Sequence, residues 1–304
     1  MTDQLNIENL INEGILSLEQ EKYDLAINLF NSALLKDPNN DVAHYNKALV
    51  LDKQGKYQSA IKGYSETVRI NSKFENAFYN RGLIFYKSKK YSQALSDFSN
   101  VIRLNQNFAD SYYNRALVYD QIRDYNAALK DYNTVIELNP KHSSAFNNRG
   151  ILQSKLKDYS AAITDFSRAI EITPNFASPY SNRGIAKSKV NDHEGAIEDY
   201  DKAIKLIPNF ASAYFNRGVA NRKLKNYKKA IGDFTKSIEI NPKHFLAYDN
   251  RSLCKLKIDD KVGACKDMKI AASMGLKKRV DWLNSPKGEW CKTMKTWIDV
   301  REIA

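Results

Sequence analysis

Cysteine is scarce in this chain. Three stand among 304 residues, Cys254, Cys265 and Cys291, all in the last fifth and without a short paired spacing. That pattern argues against a disulfide framework or a zinc site, so buried, idle thiols are the expectation. Histidine is equally thin, with His44, His142, His193 and His244 far apart in the chain, and no metal or cofactor is expected. No stretch approaches the ~18 apolar residues of a membrane helix. The opening "MTDQLNIENL" also lacks the charged start and apolar run of a secretory signal. The expectation is a soluble, cytoplasmic protein without membrane insertion. Neither a glycine-rich phosphate loop nor a recurring set of nucleophile, base and orienting group is present, which points away from an enzyme.

What the chain does have is one unit copied. "AFYNRG" at 77 returns as "SYYNRA" at 111, "AFNNRG" at 145, "PYSNRG" at 179, "AYFNRG" at 213 and "AYDNRS" at 247, and the arginines Arg81, Arg115, Arg149, Arg183, Arg217 and Arg251 are 34 residues apart. A fixed period of this length signals a stacked array in which each unit packs on its neighbours. Within Ala211–His244 the stretch "ASAYFNRGVANRKLKN" reads as a first helix. "YKKAIGDFTKSIEI" reads as a second, with Tyr227, Ala230, Ile231, Phe234 and Ile238 at helical spacing, and "NPKH" ends it. Pro38, Pro140, Pro174, Pro208 and Pro242 recur at that stop, where a helix cannot continue.

Tyr214, Arg217, Gly218, Ala230, Phe234 and Pro242 fall at the spacing of the tetratricopeptide signature, and the chain resembles a tandem tetratricopeptide array. The resemblance implies an all-α fold, a right-handed α-solenoid of antiparallel helix hairpins. The units would run 7–40, 41–74, 75–108, 109–142, 143–176, 177–210, 211–244 and 245–278, followed by a capping segment at 279–304. Small residues recur at Gly14, Ala48, Gly82, Ala116, Gly150, Gly184, Gly218 and Ser252, and again at Ala26, Ala60, Ala94, Ala128, Ala162, Ala196, Ala230 and Ala264. Helical glycine costs ~1 kcal/mol against alanine, so its repetition predicts that the two helices of a hairpin touch there. The family's later tyrosine survives only as Leu51, Phe85 and Tyr119. In the second half its slot holds Gln153, Lys187, Asn221 and Lys255, with Leu156, Val190, Leu224 and Ile258 three residues on. Residues three apart share a helix face, so these four are expected to take over as apolar anchors.

Each arginine has an aspartate 16 residues later: Arg81 with Asp97, Arg115 with Asp131, Arg149 with Asp165, Arg183 with Asp199, Arg217 with Asp233 and Arg251 with Asp267. The first two units lack both partners, having Glu13 with Leu29 and Lys47 with Gly63. Joint presence and joint absence predict structural ion pairs between helices, since guanidinium matches carboxylate as a planar fork. The rival is that these arginines grip a ligand carboxylate.

Asparagine precedes the arginine slot throughout, as Asn12, Asn46, Asn80, Asn114, Asn148, Asn182, Asn216 and Asn250. An amide can bridge a peptide group through donor and acceptor. The resemblance, especially to the peptide-reading arrays of O-linked N-acetylglucosamine transferases, implies that these asparagines line a concave groove and hold the main chain of an extended peptide; bonding to neighbouring backbone is the alternative. Tyr45, Tyr79, Tyr113 and Phe215 stand just before them. Seven residues after them come Lys53, Lys87, Lys155, Lys189, Lys223 and Lys257, interrupted by Gln121. Together they suggest a groove that stacks side chains on rings and favours acidic residues; the alternative for the lysines is solvated helix ends.

The balance of 47 Lys+Arg against 35 Asp+Glu gives a net charge of +12, which favours acidic partners. The leading expectation is a non-enzymatic scaffold for a protein or peptide partner. A basic, aromatic-bearing groove for RNA or another polyanion is the less favoured alternative. At the C-terminal end Val280, Leu283, Trp290, Met294, Trp297 and Ile298, broken near Pro286, read as a cap over the last hairpin, with a docking helix preceded by Lys277, Lys278 and Arg279 as the alternative. At the other end Leu5, Ile7, Leu10, Ile11, Ile15, Leu16 and Leu18 make the first helix unusually apolar, so self-association through the first unit is a further expectation.

Overall fold

The computed structural model describes residues 2–294, and every regular element in them is helical. Two compact units divide at Pro140. The N-terminal unit contains α1 (Thr2–Glu19), α2 (Tyr23–Lys36), α3 (Asp41–Lys53), α4 (Tyr57–Ile70), α5 (Glu75–Lys87), α6 (Tyr91–Leu104), α7 (Ala109–Gln121) and α8 (Tyr125–Leu138). The C-terminal unit contains α9 (Ser143–Lys155), α10 (Tyr159–Ile172), α11 (Ala177–Lys189), α12 (His193–Leu206), α13 (Ala211–Lys223), α14 (Tyr227–Ile240), α15 (Phe245–Lys257), α16 (Lys261–Ser273), α17 (Lys277–Leu283) and α18 (Glu289–Thr293). Successive helices up to α16 pair as tandem hairpins, and within each unit every second helix also packs on the first helix of the next hairpin. The all-α expectation holds.

The hairpins close in the same way. The amide of Lys90 donates to the Phe85 carbonyl at 2.8 Å, and that of Asp158 to Gln153 at 2.9 Å, a six-to-one bond that ends the first helix. This closure requires one left-handed residue. It is glycine at Gly55 and Gly275, whereas Glu21, Lys89, Arg123, Lys157, Asn191, Lys225 and Asp259 adopt positive φ despite their side chains. Between the helices, the alanine column from Ala26 to Ala264 is fully enclosed, as are the rings of Phe30, Tyr64, Phe98, Tyr132, Phe166, Tyr200 and Phe234. A Cβ on Gly218 would lie 2.7 Å from Phe234, which explains the small-residue column: the ring of the second helix lies across the first. Burial of one such ring contributes about 1.5–3 kcal/mol.

Both ends depart from this pattern. In α1, Ile11 and Leu18 are buried against Ala26 and Phe30, while Leu5 and Leu16 are exposed. At the other end α17, a short 3-10 turn at Pro286–Gly288 and α18 follow the last hairpin. The expectation of idle thiols is wrong for two of the three cysteines: Cys265 and Cys291 form a disulfide joining α16 to α18, and both are fully enclosed. Their separation of 26 residues reflects the return path of the terminal segment, which a search for short spacings cannot register. Cys254 remains a buried thiol, pushed up to about 11 by burial. The terminal segment is also held by charge, because Arg279 is buried and donates to the Asp249 carboxylate, which Lys278 approaches at 2.7 Å. Of the apolar residues expected in the cap, Val280 is exposed, Leu283, Trp290 and Met294 are half-buried, and Trp297 and Ile298 lie outside the described residues. Trp282 meets Trp290 edge to face at 6.1 Å.

Candidate functional site

The strongest polar construction in each unit begins with the repeated arginine. Arg81 donates Nε to Asp97 Oδ2 at 2.8 Å and Nη2 to Oδ1 at 2.7 Å, a fork that joins α5 to α6. Its remaining nitrogen reaches back to Ser65 Oγ on α4, in the preceding hairpin, at 2.9 Å. Arg115 clamps Asp131 and Ser99 in the same way, Arg183 clamps Asp199 and Ser167, and Arg251 clamps Asp267 and Thr235. Arg149 forks onto Asp165. In Arg217 the third partner is a second carboxylate, Asp201, alongside Asp233. The guanidinium therefore binds three helices, two of its own hairpin and one of the hairpin before. The hydroxyl column 16 residues ahead of the arginines was present in the letters but resembles ordinary surface serine and threonine.

These pairs are enclosed, with arginine side chains 14–23 % and aspartates 1–7 % exposed. Each guanidinium also lies over the ring three residues before it, such as Phe78 at 5.5 Å or Tyr214 at 5.3 Å. Burial pushes the Asp97 carboxyl above its ordinary value, with Arg81 pulling against it. The hydrogen bonds of Asp131 hold Arg115 above its ordinary value. Groups so fully occupied with one another are poorly placed to receive a ligand.

The expected apolar replacement in the second half does not occur. Leu156, Val190 and Ile258 are 46, 49 and 41 % exposed at the helix ends, and Leu224 caps α13 half-buried. At three of the four positions the slot vacated by the aromatic residue instead holds a donor for the aspartate beside it. Lys187 Nζ meets Asp199 Oδ2 at 3.0 Å, Lys255 meets Asp267 at 2.9 Å, and Asn221 donates to Asp233 at 3.0 Å. A buried carboxylate oxygen with room for another donor is better served by a lysine or an amide than by a methyl group.

The asparagines lie on the other side of the first helices. Asn80 donates to the Tyr45 hydroxyl at 3.1 Å, Asn114 to that of Tyr79 at 3.0 Å, and Asn182 to Asn147 Oδ1 at 3.0 Å, each bond linking consecutive first helices. Asn46 and Asn250 donate to backbone one turn back, at Val42 and Leu246, and Asn148 accepts from Asn147. Asn216 is half-buried and Asn12 exposed. Among the described residues none donates a hydrogen bond to the carbonyl oxygens of Asn80, Asn114 and Asn182. The rings beside them are committed to packing: Tyr45 on Phe74 at 4.8 Å, Tyr79 on Phe108 at 5.1 Å, Tyr113 on Tyr132 at 6.1 Å, and Phe215 on His244 at 4.5 Å. Burial raises the hydroxyls of Tyr45 and Tyr79, with the asparagine bonds opposing it. Lys53, Lys87, Lys155, Lys189, Lys223 and Lys257 are all exposed at the ends of their helices.

Among the described residues no group of three His, Cys, Asp or Glu side chains could hold a metal ion, and no helix is long and apolar enough to cross a membrane. A search of curated proteins finds no match to the sequence. Among solved structures the chain is similar to YrrB, a TPR protein with an unusual peptide-binding site, at 22% identity over 60% of this chain and 95% of that one, with a TM-score of 0.54. It is similar also to a tetratricopeptide repeat protein from Parabacteroides merdae, at 21% identity over 82% and 99%, TM-score 0.60. A third is the C-terminal part of a TPR repeat-containing protein from Cytophaga hutchinsonii, at 20% over 79% and 98%, TM-score 0.65. At these identities the likeness is one of fold. Three family profiles match the sequence itself: one for the tetratricopeptide repeat at residues 109–142, 143–176 and 211–244, one for the TPR repeat at 53–89, 82–122 and 189–225, and another for the tetratricopeptide repeat at 29–62. With profiles matching most of the chain and tandem helix hairpins in both units, this chain belongs to the tetratricopeptide repeat family.

Proposed function

We propose that the chain is a non-enzymatic scaffold whose first helices receive an extended segment of a partner protein. The observation that carries this reading is the state of the asparagines. In Asn80, Asn114 and Asn182 the amide nitrogen is occupied by the neighbouring first helix while the carbonyl oxygen is unbonded. Within each unit these carbonyls offer acceptors to the peptide N–H groups of an extended chain, and the lysines seven residues on favour acidic side chains beside them. The eight units 7–278 would then act as repeated copies of one reading element, closed by the segment from 279 onward. The packed tyrosines support a peptide over RNA, because their faces are already taken by protein rings and base stacking needs a free one.

Fluorescence anisotropy of extended acidic peptides with the intact chain, and with Asn114→Ala and Asn182→Ala combined, tests the proposal. Affinity should fall at least tenfold in the variant while the circular dichroism spectrum is retained. Equal affinity in both proteins would leave the asparagines a purely structural role. A fall in affinity steeper for single-stranded RNA than for peptide as salt rises, with RNA the tighter ligand at low salt, would replace the peptide reading with the polyanion one.

A further inference from the structure

The hairpin α3–α4 has a hole where six others have an ion pair. Lys47 stands in the slot of the arginines and Gly63 in that of the aspartates. The ring beneath the guanidinium is replaced as well, by His44. What remains is a pocket of about 410 Å³, lined by His44, Lys47, Leu51, Ser59 and Lys62, with Gly63 in its wall. Lys47 is half-buried there, and among the described residues no carboxylate lies within 4.0 Å of it. The acid at the rim, Glu66, is held by Arg69 at 2.6 Å, and His44 Nε2 by the Pro38 carbonyl at 3.0 Å.

The chain cannot supply the missing carboxylate at this position. A Cβ on Gly63 would lie 2.7 Å from that of Ala48, so the two helices approach too closely for a side chain. A half-buried ammonium with an open cavity in front of it is a poor internal solution but a good receptor, because desolvation strengthens its attraction for an anion that enters. At 100° per residue, His44, Lys47 and Leu51 share one face of α3, while Asn46 and Lys53 lie on the opposite one. The pocket is therefore separate from the peptide face proposed above.

We propose that this pocket binds the carboxylate side chain of an aspartate or glutamate from a partner protein, which takes the place that Asp97 or Asp131 occupies in the following hairpins. Lys47 makes the ion pair, and Lys62 and Ser59 close around the second oxygen. A single ion pair of this kind contributes little by itself, so the pocket acts as an anchor that adds to contacts made elsewhere.

The test uses the intact chain labelled with nitrogen-15 and titrated with N-acetylglutamate, with inorganic phosphate and with sodium chloride at matched ionic strength. N-acetylglutamate is expected to give saturable shifts at the amides of Ser59, Lys62 and Gly63, and Lys47→Gln to weaken this binding at least tenfold. Lys202→Gln, at an exposed position of α12 that belongs to neither face, should leave it unchanged. Thermal melting of Lys47→Gln and its undisturbed resonances elsewhere show that the fold is intact. Shifts that follow ionic strength alone, that survive Lys47→Gln, or that are stronger with phosphate would each overturn the proposal.

Discussion

Arg81 and Arg115, in the N-terminal unit, each lie between two aromatic rings, with Phe85 at 5.8 Å and Tyr119 at 5.8 Å supplying the second face. In the C-terminal unit Arg183 and Arg217 keep the first ring, but the second has given way to Lys187 and Asn221, which bond the aspartate instead. The first arrangement shields the cation and the second satisfies the anion. Both solutions answer the same difficulty, that a buried ion pair is stable only when the lone pairs and protons left over from the pair are also accommodated. A slot can thus change from ring to ammonium with the helices around it unchanged.

The largest effect that separates the two units comes from deleting the arginine. Arg115→Leu strands Asp131 with no second cation, and urea denaturation should show a loss of about 3–5 kcal/mol. Arg183→Leu leaves Asp199 beside Lys187, so its loss should be smaller, about 1.5–3 kcal/mol, the worth of a charged hydrogen bond. Adding Asp131→Leu to Arg115→Leu should recover part of the first loss; strictly additive losses would show that the pair is not coupled. Equal losses for the two arginines would mean that the lysine contributes nothing to its carboxylate.

A smaller effect sharpens the comparison by being the same in both units. Lys89 and Lys157 both close their hairpins at positive φ, 58° and 66°. Replacing either with glycine removes a left-handed cost of about 1–2 kcal/mol, offset by about 0.4–1 kcal/mol from the freer unfolded chain. Each variant should melt slightly higher than the parent, by an equal amount. A gain in one unit alone would show that the turns are not equivalent.

The smallest effect depends on pH. His244 occupies the place of Phe74 and Phe108 in the other unit, and burial lowers its basicity. The folded state then favours the neutral ring, so the contribution to stability is present above the ordinary histidine value of ~6.5 and is lost as pH falls through the lowered one. His244→Phe should flatten the melting temperature between pH 7 and pH 5 relative to the parent. An unchanged pH profile would mean that another group governs it.

Much of the fold could be read from the letters because it depends on period: the alanine column, the small residue under the ring and the proline stop each repeat with one purpose. The spacing of 16 between arginine and aspartate was visible for the same reason. What period could not reveal was a slot whose purpose changes. Lys187 and Lys255 looked like lost anchors because the search was for apolar replacements, whereas each answers a carboxylate on the second helix. Asp201, in line with serines, an asparagine and a threonine, gave no sign that Arg217 would be held by two acids. Asp249 was legible in principle as an acid in a column of tyrosines, asparagine, serine and phenylalanine, but its partner Arg279 comes from the segment beyond the repeats. The asparagines showed their positions but not that the donors of Asn80, Asn114 and Asn182 were already engaged with the hairpin before.

The bond between Cys265 and Cys291 adds a clock to the C-terminal end. Both sulfurs are fully enclosed, so a reductant in solution reaches them only in the moments when α18 lifts from α16. The rate at which the intact protein loses this bond to excess thiol therefore counts those openings. In a reducing compartment the terminal segment would in time rest on Asp249 and its two cations, the Lys269 bond to the Met294 carbonyl and its own packing, and in an oxidising one each opening would end with the chain still tied.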